Sequence, residues 1–330
     1  MRIPTTLAIT IVSLSAIIVG LIYVVPKASA QSATNSGQAL EIGPPVINLS
    51  ADPGTTVKAT ISLRDISSTN LFVTSSFNDF IAGGEDGTPK ILLDEETTSA
   101  YSLKSWVAPI STLTLKPREI KTLTITINVP ANASPGGYYG VVRFTGTPPD
   151  LEGAGVSLSA SLGSLILLKV NGDAKEELGI EEFFASHDGR KGTLFEAAPI
   201  DFTERLKNTG NIQEQPSGLV TVKDMFNNVV ATLPINQPPR DILPDSIRKF
   251  DQPLDETVIG NKILFGLYHA DLSVTYGANK QTITSSLTFW VIPYTLIAII
   301  VAALVVGFIA LRFAIKRYNR HIITKAKGRK

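Results

Sequence analysis

The chain has 330 residues, a formal net charge of +1, 44% hydrophobic and 18% charged residues, and no cysteine. The missing thiol excludes disulfides, thiol catalysis, Cys-ligated zinc and a lipidated lipobox cysteine, so its domains must hold together by core packing alone. The near-neutral total hides an asymmetry: setting aside Arg2, Lys27 and the eight basic residues after Leu311 leaves 20 basic against 29 acidic residues, which disfavours nucleic acid as a partner.

Arg2 precedes an uncharged stretch from Ile3 to Val25, closed by Pro26-Lys27-Ala28-Ser29-Ala30. Ala28 and Ala30 ahead of Gln31 form the A-x-A pattern of a secretory signal peptide over 1–30, cleaved after Ala30. Retained, the same stretch is long enough to span a membrane as a second helix. Positive charge on its flank puts the strand-rich region downstream outside the cell in either case.

From residue 40 to 289 the pattern is that of strands. Val57, Ala59, Ile61 and Leu63 alternate with polar residues, as do Leu123, Ile125, Ile127 and Val129. The pattern repeats at Tyr268, Ala270, Leu272, Val274 and Tyr276, and again at Ile283, Ser285, Leu287 and Phe289. Period-two alternation turns one face to a core and the other to water. Gly, Pro and Asn clusters punctuate the runs, and no long 3.6-residue stripe interrupts them.

Two halves share a plan. Asp65-Ile66-Ser67-Ser68-Thr69-Asn70, then Leu115-Lys116-Pro117-Arg118-Glu119, then Gly136-Gly137-Tyr138-Tyr139-Gly140 mark the first. Arg205-Leu206-Lys207-Asn208-Thr209-Gly210-Asn211, then Leu243-Pro244-Asp245-Ser246, then Phe265-Gly266-Leu267-Tyr268 mark the second, at similar spacing. A Gly-x-Tyr pair at a strand entry suits a tight turn followed by a ring packed inward whose hydroxyl caps a loop. The pattern predicts a duplicated fold; two unrelated sandwiches with the same turn chemistry are the alternative. An insertion runs from about Phe77 to Pro109, and the polar turn Asn171–Glu177 marks the boundary between the halves.

The run Trp290–Leu311 is uncharged and followed at once by Arg312, Lys316 and Arg317 in a tail free of Asp and Glu. About 20 apolar residues at 1.5 Å each cross a bilayer, and the basic tail belongs in the cytosol. Trp290 and Tyr294 fall where an outer aromatic belt belongs, with Phe313 and Tyr318 near the inner one. The predicted organisation is thus mainly β: two tandem immunoglobulin-like β-sandwich domains followed by one C-terminal transmembrane α-helix. The domains are 38–172 (membrane-distal) and 173–289 (membrane-proximal), the helix 290–312, and the basic cytoplasmic tail 313–330. The last strand is expected to end at Phe289, seating the second domain on the bilayer without a stalk.

Chemistry is sparse. His187, His269 and His321 lack a second ligand at metal spacing, and Gly163-Ser164-Leu165 lacks the frame of a nucleophile elbow. The expectation is no enzyme, no cofactor and no metal. Glu85, Asp86, Asp94, Glu95 and Glu96 offer oxygen ligands for calcium, but the spacing is not that of an EF-hand and a solvated acidic loop explains them. Tyr101 and Trp106 are candidate ring platforms for a sugar, or else pack beneath the insertion.

In layout, and in Asp52-Pro53-Gly54-Thr55-Thr56-Val57, Leu113–Glu119, Gly136–Gly140, Asn208-Thr209-Gly210, Leu243–Ser246 and Phe265–Tyr268, the chain resembles the WxL-interacting proteins of Gram-positive cell surfaces. The resemblance covers nearly the whole chain. It implies a peptidoglycan-associated outer domain and an inner domain that binds a host or partner protein. The expected function is a membrane-anchored, single-pass type I surface protein that connects the lipid bilayer to peptidoglycan or another exported surface protein. A structural stalk or subunit of an envelope membrane complex is the alternative.

Overall fold

The computed structural model describes residues 40–93, 99–147, 160–260 and 262–327, with side chains of the last helix followed continuously to Arg317. The signal segment with Ala28 and Ala30, the acidic residues Asp94, Glu95 and Glu96, and the side chains of Tyr318 and His321 lie outside the described residues.

Two β-sandwiches make up the strand region. In the first, β1 (Leu40–Gly43), β3 (Thr56–Asp65) and β8 (Ile120–Asn128) form one sheet. The facing sheet runs in the order β2 (Val46–Ala51), β10 (Ala160–Val170), β9 (Gly136–Thr147), β4 (Leu71–Asn78) and β7 (Leu113–Leu115). The second sandwich pairs β12 (Arg190–Lys191), β11 (Leu178–His187), β14 (Ile200–Asn208) and β17 (Ile247–Leu254). Against them lie β13 (Leu194–Phe195), β19 (Gln281–Val291), β18 (Gly266–Tyr276), β15 (Ser217–Asp224) and β16 (Val229–Ile235), in that order.

Apart from the short added strand β12, the strand orders are the same. β1-β3-β8 corresponds to β11-β14-β17, and β2-β10-β9-β4-β7 to β13-β19-β18-β15-β16. In both halves the leading segment is split between the sheets, and its second piece runs parallel to the last strand. The turns repeat as well. Pro117-Arg118 and Pro244-Asp245 each put a non-glycine residue in the left-handed region, at φ 61° and 57°, the pattern of a type II turn with proline at its second position. Asp65 and Asn208 close equivalent strands, each accepting from the backbone N–H two residues on, Ser67 at 2.7 Å and Gly210 at 2.9 Å.

The alternation read from the sequence is the core. Ala59, Ile61 and Leu63 are buried in β3, Ile125 and Ile127 in β8, and Tyr268, Ala270, Leu272, Val274 and Tyr276 in β18. Each large apolar side chain taken from water stabilises by about 1.5–3 kcal/mol. Phe202, Phe289 and Tyr268 centre the second core, with ring centroids 5.5 Å apart in both the Phe202–Phe289 and Tyr268–Phe289 pairs.

Between β4 and β7 the insertion forms a hairpin, β5 (Phe80–Ala82) and β6 (Pro89–Ile91), and a 3-10 turn at Lys104–Trp106. It covers the outer face of the first sandwich's larger sheet and builds a small separate core of Phe80, Tyr139, Val141 and Leu167.

A short helix α1 (Glu256–Ile259), capped by Asp255, precedes β18. The long helix α2 covers Tyr294–Lys327, and its stretch Tyr294–Arg317 is long and apolar enough to cross a membrane. The expected end of the last strand at Phe289 is corrected: β19 continues to Val291, because β13 lies beside it and Trp290 N–H donates to Thr193 O at 2.7 Å. Trp290 therefore belongs to a strand and not to the helix expected over 290–312. The helical backbone also carries on into the segment expected as a tail.

Candidate functional site

The two sandwiches meet end to end, and the entry of β9 makes the seam. Gly137 N–H donates to Asn211 O at 2.8 Å, Asn211 Nδ2 to Pro135 O at 3.0 Å, and the Tyr139 hydroxyl to Gln213 Oε1 at 2.9 Å. The Tyr139 hydroxyl lies where a Cβ on Gly137 would sit, so only glycine lets this ring turn back over its own strand entry. Burial of the phenol raises its pKa far above the usual value.

A second tie comes from the insertion. Its loop reaches across to β14 and β17, where the Arg205 guanidinium receives Glu85 in two bonds, Nη2 to Oε1 at 2.5 Å and Nε to Oε2 at 2.9 Å. Glu182 binds the third side of the same guanidinium at 3.2 Å. Lys249 N–H donates to Glu85 O at 2.7 Å and Arg248 Nη2 to Asp86 O at 3.1 Å. The hydrogen bond from Arg205 holds the Glu85 carboxyl below its ordinary range. Glu85, expected in a solvated acidic loop, is thus a clasp between sandwiches. Asp86 binds its own loop through Thr88 N–H and hydroxyl.

Seam and clasp enclose a cleft of about 420 Å³. Val46 and Asn48 of β2 with Leu165 and Leu167 of β10 line one side, Phe80 and Ala82 of the insertion another, and Ile242, Leu243 and Arg248 of the second sandwich face them. Arg248 Nη1 donates to Asp241 O at 2.7 Å, and burial lowers the guanidinium pKa while raising that of the Asp241 carboxyl. The Arg240 side chain, exposed at the mouth, has no ion-pair partner among the described residues.

β2 is an outer strand of its sheet. Leu165 N–H donates to Pro45 O and Asn171 N–H to Ala51 O, so the odd-numbered residues point their backbone groups at β10. The alternation leaves those of Val46, Asn48 and Ser50 facing away from β10, with no backbone partner among the described residues, and the side chains of Val46 and Asn48 line the cleft.

Tyr101 and Trp106, the candidate sugar platforms, are both half-buried. Tyr101 lies 6.1 Å from Tyr139, and its hydroxyl donates to Asp245 Oδ2 at 3.0 Å. Trp106 lies 4.2 Å from Tyr138, centroid to centroid. The structure places both near the seam, one at each of two adjacent tyrosines, and does not bring them onto a shared exposed face. Trp290 and Tyr294 are exposed at the far end of the second sandwich; Arg312, Lys316 and Arg317 are exposed along α2. His187 and His269 stand apart, and no cluster of metal-ligating side chains occurs among the described residues.

Of the residues that line the cleft, Val46, Asn48 and Arg248 were given no site role from the sequence, and Arg205 of the clasp was read only as part of a turn motif. Glu85 is separated from Arg205 by 120 positions, and no periodicity links them. Glu214 was missed too. It is 3% exposed, accepts from Gly277 N–H at 3.1 Å through Oε2, and has no partner for Oε1. Burial and the neighbouring Glu176 charge push its pKa up to about 7.

No family model matches the chain and no curated protein matches it. Among solved structures it is similar to the YadV chaperone, at 12% identity and a TM-score of 0.36, over 76% of this chain and 100% of that one. It is similar to a chain of a chaperone–tip adhesin complex of CFA/I fimbriae biogenesis, at 13% identity and 0.38, over 75% and 97%. It is also similar to the E. coli chaperone DraB, at 14% identity and 0.33, over 76% and 94%. These likenesses are low in identity and TM-score, and the fold described above rests on the chain's own strand pairing.

Proposed function

We propose that the chain is a membrane-anchored binding or scaffold protein of a cell surface, with both sandwiches outside and α2 as its single anchor, in the manner of the WxL-interacting proteins it resembles. Its partner is an exported surface protein, taken as an extended segment along β2. The observation that carries this reading is the coincidence of an unpaired strand edge with an apolar-floored cleft. Backbone groups along such an edge supply affinity and the cleft supplies side-chain selection. Tyr101 and Trp106 already contact neighbouring tyrosines, which favours a protein segment over a sugar chain. Clasp and seam preorganise the cleft, reducing the ordering cost of binding.

The test uses the full-length chain in lipid nanodiscs, offered isolated peptidoglycan and the organism's exported proteins in separate arms. Asn48→Pro removes one outward N–H of β2 while leaving its bonds to β10 in place. Saturable capture of one exported protein, weakened by about tenfold in Asn48→Pro, is the expected result. Capture unchanged by the substitution rejects the strand edge. Retention on peptidoglycan alone, lost in a Tyr101→Ala/Trp106→Ala variant, would replace the protein partner with the wall polymer. Binding in neither arm would favour the stalk.

A further inference from the structure

Three connections at one end of the second sandwich carry exposed apolar side chains, and the turn between β11 and β12 beside them is polar. The strand register defines this end: Asp224 of β15 pairs with Tyr268 of β18, Gly266 with Val291 of β19, and Leu194 of β13 with Trp290. The turn after β15, the connection into β18 and the short strand β13 therefore sit together, beside the start of α2. Phe226 is 77% exposed, Ile263 73% and Phe265 60%, with Leu194, Met225 and Trp290 around them. Met225 lies over Gly266, where a Cβ would displace its methyl group.

The opposite end is a control within the same domain. Its connections, 171–177, 209–216, 236–246 and 277–280, carry no exposed large hydrophobic residue. Scattered exposed leucines need no explanation, but a contiguous patch confined to one end marks an interaction surface. Three of the acidic groups at this end are turned to local backbone donors, while Asp188 and Glu256 stay exposed. Asp224 accepts from Phe226 and Asn228 N–H, Asp255 from Thr257 N–H and Glu196 from Thr295 N–H.

We infer that this end of the second sandwich is a bilayer-docking surface, with Phe226, Ile263 and Phe265 inserted at the headgroup–acyl boundary around the entry of α2. The occupant follows from continuity. Only Ile292 and Pro293 separate the end of β19 from the start of the helix, a span of roughly 7–10 Å at 3.3 Å per residue. An interfacial element buries its apolar face about 5–10 Å deep. A helix that crosses the bilayer thus brings the loops into the layer where exposed Phe, Ile and Trp are stable. The inference rests on α2 spanning the membrane and adds that the domain is held against it. The orientation of the cleft then follows from two attachments instead of one flexible joint.

The chain has no cysteine, so single-cysteine variants report cleanly. Full-length Phe226→Cys, Ile263→Cys, Asn279→Cys and Ala303→Cys are labelled with an environment-sensitive fluorophore. They are reconstituted into phosphatidylcholine–phosphatidylglycerol vesicles containing lipids spin-labelled at shallow or deep positions. Shallow quenching at 226 and 263, deep quenching at 303 and none at 279, in the turn at the opposite end, is the expected result. Quenching at 303 with 226 and 263 behaving as 279 does would overturn the docking surface and leave the anchor standing. No quenching at 303 would overturn the anchor, and the docking surface with it. Trp290 fluorescence in a Trp106→Phe variant, quenched by brominated lipid, reads the patch without altering its apolar residues.

Discussion

The two sandwiches present the same end of one strand order to different surroundings. At the entry of β9, Gly136-Gly137-Tyr138-Tyr139 meets protein, and its groups are met by Asn211 O and the Gln213 side chain. At the entry of β18, Phe265-Gly266-Leu267-Tyr268 meets only its own sandwich among the described residues, with Met225 lying over Gly266. The Tyr268 hydroxyl turns back to accept from Phe265 N–H at 3.1 Å, and apolar side chains project outward. The shared Gly-x-Tyr element is a structural corner in both, and the residues around it are set by what each corner faces. A polar seam needs partners at fixed positions, whereas a lipid surface asks only for exposed apolar area.

The cores diverge as well. Aligned on Asp65 and Asn208, the position of Ile61 in β3 is taken by Glu204 in β14. Glu204 is fully buried, neither carboxyl oxygen has a partner, and burial with the nearby Asp251 charge pushes its pKa up to about 9. A carboxyl whose folded pKa is raised adds no ionisation cost below its ordinary value of 4.5, although burying it without partners costs at every pH. The cost then grows as pH rises towards the folded value, reaching on the order of 3 kcal/mol at pH 7. Glu204→Leu should therefore stabilise the second sandwich, with a gain larger at pH 8 than at pH 5. Thermal unfolding of the full chain in detergent at the two pH values measures it. A gain that ignores pH would show that Glu204 is not titrating in the core.

The strand ends carry a smaller difference. Asn208 donates through Nδ2 to Ile212 O at 2.7 Å and Ile242 O at 2.8 Å while its Oδ1 caps the turn. Asp65 caps its turn in the same way but leaves Oδ2 buried without a partner. Replacing that oxygen with the amide of the other half, Asp65→Asn, should stabilise the first sandwich by about 1 kcal/mol. A raised midpoint in chemical denaturation is the expected reading, and a lowered one would show that the first turn lacks the carbonyls an amide needs.

Much of this architecture was legible because alternation, turn residues and the apolar helix are local signals. Ala59, Ile61 and Leu63, or Tyr268 to Tyr276, declare their faces by position alone, and Pro117 and Pro244 declare the repeated turn. Glu204 was legible in retrospect: it falls in phase with Ile200, Phe202 and Leu206, where a charged residue on a core face is the anomaly. The cleft was not legible, since β2, the insertion and the strand β17 come together only after both sandwiches have formed. The acidic loop misled for the same reason. Composition shows that Glu85 is charged, but its partner lies on another sheet. The end of β19 was misplaced by two residues because β13, two residues long, leaves no periodicity to read.

The smallest expected effect concerns the clasp, which has no counterpart in the first sandwich. The position in β3 equivalent to Arg205 is Ser62, so the bridge is a specialisation of the face that receives the insertion. Glu85 is held below its ordinary pKa by Arg205. The tie is therefore present above the ordinary carboxylate value and lost as pH falls through the lowered one. Both side chains are partly exposed, so Glu85→Gln should cost less than about 1 kcal/mol. Global unfolding would scarcely register it. Hydrogen exchange at the Lys249 amide, which donates to Glu85 O, is the sensitive reading. That amide should exchange up to about fivefold faster in the variant, with the difference vanishing once acid has protonated Glu85 in the wild type. Faster exchange that persisted in acid would mean that the backbone of the loop, and not the ion pair, keeps the cleft in shape.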